Sequence, residues 1–119
     1  MLIPAERGFW LLEFYRTRQT QLIFGGRILG EEATCAAVVS HVWIENQTMG
    51  IKLLSDDGEL SWDRLIPLTR AEFLLIQMGD PEFQEWIEQF AKARIHSVLV
   101  IGFPDGTTMF LAEQVTSTM

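Results

Sequence analysis

The stretch from Gly79 to Gln114 constrains the fold more than any other part of the chain. Asp80 and Pro81 are typical of a helix start, because an Asp side chain accepts from free backbone N–H groups and Pro at the first helical position needs no N–H. Apolar residues then recur at intervals of three and four, as they do on the buried side of a helix. The pattern predicts one long amphipathic helix over 80–94.

The segment after this helix predicts a hairpin. Two apolar runs, 98–101 and 108–111, flank a Pro-Asp-Gly sequence at 104–106, and these residue types are typical of tight turns. An apolar helix face must be buried against another element. We therefore expect the helix to cover one face of a sheet to which this hairpin belongs.

A second hairpin is predicted around the Asp-Gly pair at 57–58, which is a strong short-range turn signal. Pairing outward from that turn sets Lys52 opposite Asp63 and Leu53 opposite Trp62. Opposite charges and apolar pairs across two strands each stabilise a ladder by roughly 0.2–1 kcal/mol. The register that this turn position implies therefore gives favourable cross-strand pairs, which supports the predicted hairpin.

The first half of the chain adds further strands. Two glycines at 25–26 predict another two-residue turn, since glycine adopts positive φ angles without steric cost. Residues 38–44 are rich in β-branched side chains and predict a long strand beginning near Thr34. Residues 46–50 predict the turn that follows it.

For two segments, the sequence leaves both a helix and a strand as alternatives. Residues 9–16 are apolar at nearly every position, and their aromatic content with the preceding Gly8 favours a strand, while a helix is the alternative. For 70–77, the spacing of Thr69 and Glu72 matches a capping box and favours a short helix. The competing interpretation continues the preceding strand through this segment.

These elements predict an α+β fold in a single domain over 1–119. The expected architecture is a mostly antiparallel sheet or partly open barrel of six to seven strands, because hairpin-length connections imply antiparallel neighbours. One long helix over 80–94 is inserted before the final hairpin. Residues 115–119 are expected to be a frayed tail.

The formal net charge of -7 limits the classes of partner. Nucleic-acid binding depends on cationic side chains that release counterions, so we expect no nucleic-acid partner. The chain shows no signal-peptide pattern and no apolar run that approaches a membrane span of roughly 20 residues. The expectation is a cytoplasmic protein that does not bind membranes.

Catalytic and metal sites are weakly supported. Cys35 is the only cysteine, and in a strand it would stand about 20 Å from His41, too far for a nucleophile and its base. Neither His41 nor His96 belongs to a recognisable metal-ligand pattern. We predict no catalytic residue, no metal and no cofactor, and an enzyme ranks third among the functional hypotheses.

Two sets of residues are candidates for protein binding. Trp43 and Trp62 are predicted to share a sheet face with Arg64, and aromatics beside arginine are enriched at interaction hot spots. Three carboxylates form an acidic ridge away from the apolar stripe of the predicted helix and would attract a basic partner: Glu82, Glu85 and Glu88.

A third set is a candidate for binding small anions. Arg16 and Arg18 would project from one side of a strand, with Arg27 across the predicted turn at 25–26. Guanidinium groups bind carboxylates and phosphates through paired donors. The alternative role is a salt bridge at the strand end to Glu31 or Glu32.

The leading functional hypothesis is therefore a small acidic binding or regulatory module that engages a protein partner or forms a homodimer. The alternative is a domain that binds a small anionic ligand, a nucleotide or an organic acid, through the N-terminal arginines.

Overall fold

The computed structural model describes residues 1–28, 31–59, 61–89 and 94–115; for 27, 28, 31–35 and 89 it describes the backbone only. The described chain has an α+β fold with eight strands and two helices. In chain order they are β1 (Leu2–Ile3), α1 (Ala5–Arg18), β2 (Leu22–Ile28), β3 (Glu31–Glu45), β4 (Thr48–Ser55), β5 (Ser61–Pro67), β6 (Glu72–Gln77), α2 (Phe83–Gln89), β7 (Ile95–Gly102) and β8 (Thr108–Gln114).

The strands form one antiparallel sheet in the order β1-β6-β7-β8-β2-β3-β4-β5, open at β1 and β5. Pro67 at the end of edge strand β5 is only five residues from Glu72, which begins β6 near the opposite edge. Five residues span at most about 18 Å, so the two ends of the sheet approach each other. Arg64 of β5 accordingly lies over the ring of Phe103, in the β7–β8 turn. The sheet is therefore curled.

Helix α1 packs on the inner face of this curled sheet. Leu12 and Tyr15 are fully buried, and Gly8 lets the helix backbone come close to the ring of Phe73 in β6. Alternate residues of the strands complete this core, because successive side chains of a strand point to opposite faces. Its strand residues include Leu22, Phe24, Val39, Ile51, Leu53, Ile66, Leu99, Ile101 and Leu111.

Helix α2 packs on the opposite face. Phe83 and Trp86 lie in a second apolar cluster with Val98 and Phe110. The rings of Trp86 and Phe110 are 5.1 Å apart, centroid to centroid, in an edge-to-face arrangement. Leu99 belongs to the inner core and its neighbour Val98 to this cluster, so the two helices cover opposite faces of the sheet.

The predicted long helix over 80–94 is wrong in length. Helix α2 covers only 83–89 within the described residues, and 90–93 lie outside them. The carboxylate of Asp80 accepts from the N–H of Gln77 instead of capping the helix, because 78–82 form the turn out of β6. The count of eight strands also exceeds the predicted six to seven. One of the eight, β1, has only two residues, which is too few to produce a recognisable sequence pattern.

The favoured strand at 9–16 is wrong, since this segment belongs to α1. Gly8, Leu12 and Tyr15 recur at helical spacing and are the residues that the sheet buries. Aromatic content favoured a strand, but two of the aromatics, Trp10 and Phe14, are exposed and take no part in the core.

The favoured helix at 70–77 is also wrong. The N–H groups of Arg70 and Ala71 donate to the carbonyl of Pro67 and close a turn, so Thr69 caps no helix. Glu72 then pairs with Gly102 as the first residue of β6. Both faces of β6 are covered by apolar neighbours, which decides in favour of the strand.

The predicted turn at 25–26 is wrong as well, because both glycines lie inside β2. Gly26 packs against β8, where a Cβ would stand only 2.7 Å from the carbonyl oxygen of Thr108. Close strand approach thus requires the glycine. The long strand expected from Thr34 is present and begins at Glu31.

The hairpin at 57–58 is confirmed with its register: Lys52 faces Asp63 and Leu53 faces Trp62. The final hairpin is confirmed as β7 and β8. The turn predicted over 46–50 is shorter, since β4 already begins at Thr48. Of the predicted tail, 116–119 lie outside the described residues, and the N–H of Val115 donates to the carbonyl of Arg94.

Candidate functional site

The outward side of α1 carries four residues that we call the α1 stripe: Arg7, Trp10, Phe14 and Arg18. Intervals of three and four residues place them along one side of the helix. The side chains of Trp10 and Phe14 are 64% and 45% exposed, although large apolar side chains are usually buried. The α1 stripe is therefore an aromatic surface that stays largely open to solvent.

Arginines stand at both ends of the α1 stripe. The guanidinium carbon of Arg18 lies 5.0 Å from the ring centroid of Phe14, within the range of a cation–π contact. Arg16, on another side of α1, donates from Nη2 to Oε2 of Glu13 at 2.8 Å, and this partner raises the pKa of Arg16. Because Arg16 neutralises Glu13, the charge of Glu13 does not cancel that of the stripe.

A second surface, the open sheet face, lies on the half of the sheet formed by β3–β5, on the side away from α1. Trp43, Gly50 and Leu65 form one row across these strands. Trp43 is 39% exposed and Leu65 is 63% exposed. The indole of Trp43 lies on Gly50, where a Cβ would overlap the ring. This aromatic side chain is therefore partly used by the sheet.

The three residues predicted to share a face are divided between the two faces of the sheet. Trp62 lies opposite Leu53 and points into the inner core, with its ring 5.6 Å from that of Phe24. Arg64 points to the same side, and Trp43 points to the other. Trp43, Trp62 and Arg64 therefore do not form a single binding surface.

The predicted acidic ridge is solvent-exposed. Glu82 precedes α2, and Glu85 and Glu88 lie within it. Ile87 beside them is also partly exposed. Binding of a basic partner at these carboxylates stays a prediction.

The predicted arginine cluster loses its geometric basis. Arg16 and Arg18 lie on a helix, where two residues apart means about 200° around the axis, so they point to different sides. The backbone of Arg27 lies opposite Glu32 in the β2–β3 ladder. The anion site that was expected to join Arg16, Arg18 and Arg27 stays a prediction without support from the two arginines of α1.

A partly buried polar cluster is formed by Tyr15 of α1 with His96, Ser97 and Glu113 of β7 and β8. Ser97 donates from Oγ to Oε2 of Glu113 at 3.3 Å, and Nδ1 of His96 lies 3.7 Å from the same oxygen. The hydroxyl of Tyr15 is buried without a hydrogen-bond partner.

Burial, and secondly the charge of Glu113, raise the pKa of Tyr15 far above its ordinary value of 10.0. A neutral buried phenol is neither a nucleophile nor a base. The remaining histidine, His41, contacts Ser40 at 3.0 Å through Nδ1. Across the described ranges, no three His, Cys, Asp or Glu side chains converge as metal ligands.

The α1 stripe was not among the predicted sites, because a strand was favoured for 9–16. A helical interpretation places Gly8, Leu12 and Tyr15 on one side and Trp10 with Phe14 on the other, and this contrast was the available signal.

In the part of the chain that the structure describes, no helix has the length and apolar character needed to cross a membrane. No protein-family model, curated protein or solved structure matches this chain.

Proposed function

We propose that this chain is a small cytoplasmic binding or regulatory module that contacts a protein partner through the α1 stripe. The observation that carries the proposal is the exposure of Trp10 and Phe14, at 64% and 45%, on one side of a helix. Tryptophan and arginine are enriched among the residues that contribute most binding energy at protein interfaces.

The opposite side of α1 holds the stripe in a fixed position. Leu12 and Tyr15 are fully buried against the sheet, and Gly8 fits closely onto Phe73. At the C-terminal end, Gln19 adopts a left-handed conformation, and the N–H groups of Gln19 and Thr20 donate to the carbonyls of Arg16 and Tyr15. A rigid surface loses little conformational entropy when it binds, which favours affinity.

The size of the stripe indicates the kind of contact. A helix of 14 residues is about 21 Å long, and its exposed side alone is smaller than the roughly 800 Å² per partner of a standard interface. A short segment of a partner therefore fits the α1 stripe better than a broad globular face does.

Two other surfaces support a function less well. On the open sheet face, Trp43 is partly engaged by Gly50. For the anion-binding alternative, Arg16 is already paired with Glu13. Trp10 and Phe14 of the α1 stripe are both more exposed than Trp43.

Site-specific photo-crosslinking in cells tests the proposal. A photoreactive benzoyl-phenylalanine replaces Thr17, an exposed residue beside the stripe, so that the four stripe residues stay intact. We expect an adduct with a polypeptide upon illumination, and the additional change Trp10→Ala should abolish it. The matched control places the same group at Asp56, in the exposed β4–β5 turn, where we expect no such adduct.

An adduct of twice the chain mass would identify a second copy as the partner. No adduct from position 17, or an adduct that persists in Trp10→Ala, would contradict the use of the α1 stripe.

A further inference from the structure

We infer, on the basis of the proposed function, that the segment docking on the α1 stripe is an acidic amphipathic helix. Its apolar side chains would lie over Trp10 and Phe14, and its carboxylates would bond Arg7 and Arg18.

The distribution of charge selects an acidic partner. Helix α1 has three arginines and two glutamates, a formal charge of +1, whereas the whole chain carries -7, so the remainder carries -8. An acidic segment is repelled by most of this molecule and attracted at the α1 stripe. A basic segment would be attracted to many acidic places, including the ridge beside α2, and would gain no specificity at the stripe.

Two arginines are available to such a segment. Arg7 is exposed and forms no ion pair with any residue of the described chain. The guanidinium carbon of Arg18 lies 5.0 Å from the ring centroid of Phe14, and a guanidinium group offers several N–H donors to a carboxylate. Arg16 is excluded from this role because it pairs with Glu13.

The geometry of the stripe matches another helix. Arg7 and Arg18 are eleven residues apart, which corresponds to about 16 Å along the axis, and both aromatics lie between them. A helix packed along α1 meets these positions with two carboxylates eleven residues apart and apolar side chains at intervals of three and four.

An extended segment fits the stripe poorly. Its backbone N–H and C=O groups would lie against the aromatic rings of Trp10 and Phe14, which offer no strand for them to pair with. A helix satisfies its backbone groups internally.

The inference can be tested by selection from a displayed library of random peptides. Peptides of ~16 residues are long enough to hold two carboxylates eleven residues apart, which is about three helical turns. The full chain is the bait, and the double variant Trp10→Ala with Phe14→Ala removes peptides that bind elsewhere. We expect the enriched peptides to carry net negative charge and apolar residues at helical spacing. Circular dichroism of the complex should show a gain in helix.

Charge exchange then tests the role of the arginines. We expect Arg7→Glu with Arg18→Glu to weaken the selected peptide roughly fivefold, and a peptide whose carboxylates are replaced by lysine to regain affinity for that variant. Regained affinity would show that the charges act directly, since a folding defect cannot be rescued by the peptide.

The outcomes separate the two proposals. Enriched peptides that depend on Trp10 but are basic or uncharged would overturn the acidic helix and retain the binding function. A library without any Trp10-dependent peptide would overturn the binding function itself. Retention on vesicles of anionic phospholipid, lost in Trp10→Ala, would overturn both in favour of a lipid surface.

Discussion

Gly50 of β4 lies directly beneath the indole of Trp43, and a Cβ at position 50 would overlap that ring. We expect Gly50→Ala to push the indole into solvent and to lower the free energy of unfolding by roughly 1–3 kcal/mol, as overpacking does. Urea denaturation measures the loss. In a Trp43→Ala background the same change should cost almost nothing, because the ring that it displaces is gone.

The matched control for this prediction is Gly102→Ala in β7. There the nearest heavy atom to a new Cβ is the carbonyl oxygen of Glu72, at 4.0 Å, which is an ordinary contact. Equal losses at positions 50 and 102, or the same loss with and without Trp43, would contradict the role of the indole.

Gly8 likewise lies against an aromatic ring, as Gly50 lies against Trp43. Its missing Cβ would stand 2.6 Å from the ring of Phe73, which is 1% exposed and has no room to move. Alanine gains about 1 kcal/mol over glycine in a helix, but overpacking costs roughly 1–3 kcal/mol, so we expect Gly8→Ala to destabilise the protein. In a Phe73→Leu background the clash with the ring is removed. The higher helix propensity of alanine should then outweigh the remaining cost, and Gly8→Ala should stabilise the protein. Paired denaturation curves decide between these signs.

The parts of the fold that could be predicted from the sequence are those that depend on interactions between residues close together in the chain. The Asp-Gly pair at 57–58 and the register that sets Lys52 opposite Asp63 both depend on neighbours close in the chain. The final hairpin is of the same kind. Local turn chemistry and cross-strand pairs suffice for such elements.

The segments that were predicted wrongly are decided by distant contacts. Residues 72–77 form a strand because β1 and β7 pair with them, which outweighs a local capping box. Gly26 is required by its approach to Thr108, far away in sequence. Residues 9–16 form a helix because the sheet buries Gly8, Leu12 and Tyr15, which outweighs the strand preference of their aromatic neighbours.

The two sides of α1 should respond differently to truncation. We expect Trp10→Ala and Phe14→Ala each to change the free energy of unfolding by less than about 1 kcal/mol, as exposed positions do. Leu12→Ala, on the buried side of the same helix, should cost roughly 2–5 kcal/mol. Chemical denaturation of the three variants gives the comparison. A loss at Trp10 as large as that at Leu12 would mean that the stripe serves stability and not binding.

Because the phenol of Tyr15 is buried, we expect the protein to lose stability at alkaline pH. Its pKa in the folded state is raised above the ordinary 10.0, chiefly by burial. Above pH 10 the unfolded chain releases the phenol proton while the folded chain keeps it, so the unfolded state is favoured progressively as the pH rises. Below the ordinary pKa both states hold the proton and this contribution to stability is complete. Urea denaturation at a series of alkaline pH values should show the decline.

Tyr15→Phe is the matched control for that decline. Since Tyr15 is the only tyrosine, the change removes the whole phenol contribution while the lysine and arginine titrations stay the same. The hydroxyl is buried without a partner, so its removal should leave the stability at neutral pH unchanged or raise it by about 1 kcal/mol. The tyrosinate absorbance of the wild type should appear only as the protein unfolds. Ionisation near pH 10 in the folded state, or equal alkaline declines in both proteins, would contradict a buried neutral phenol.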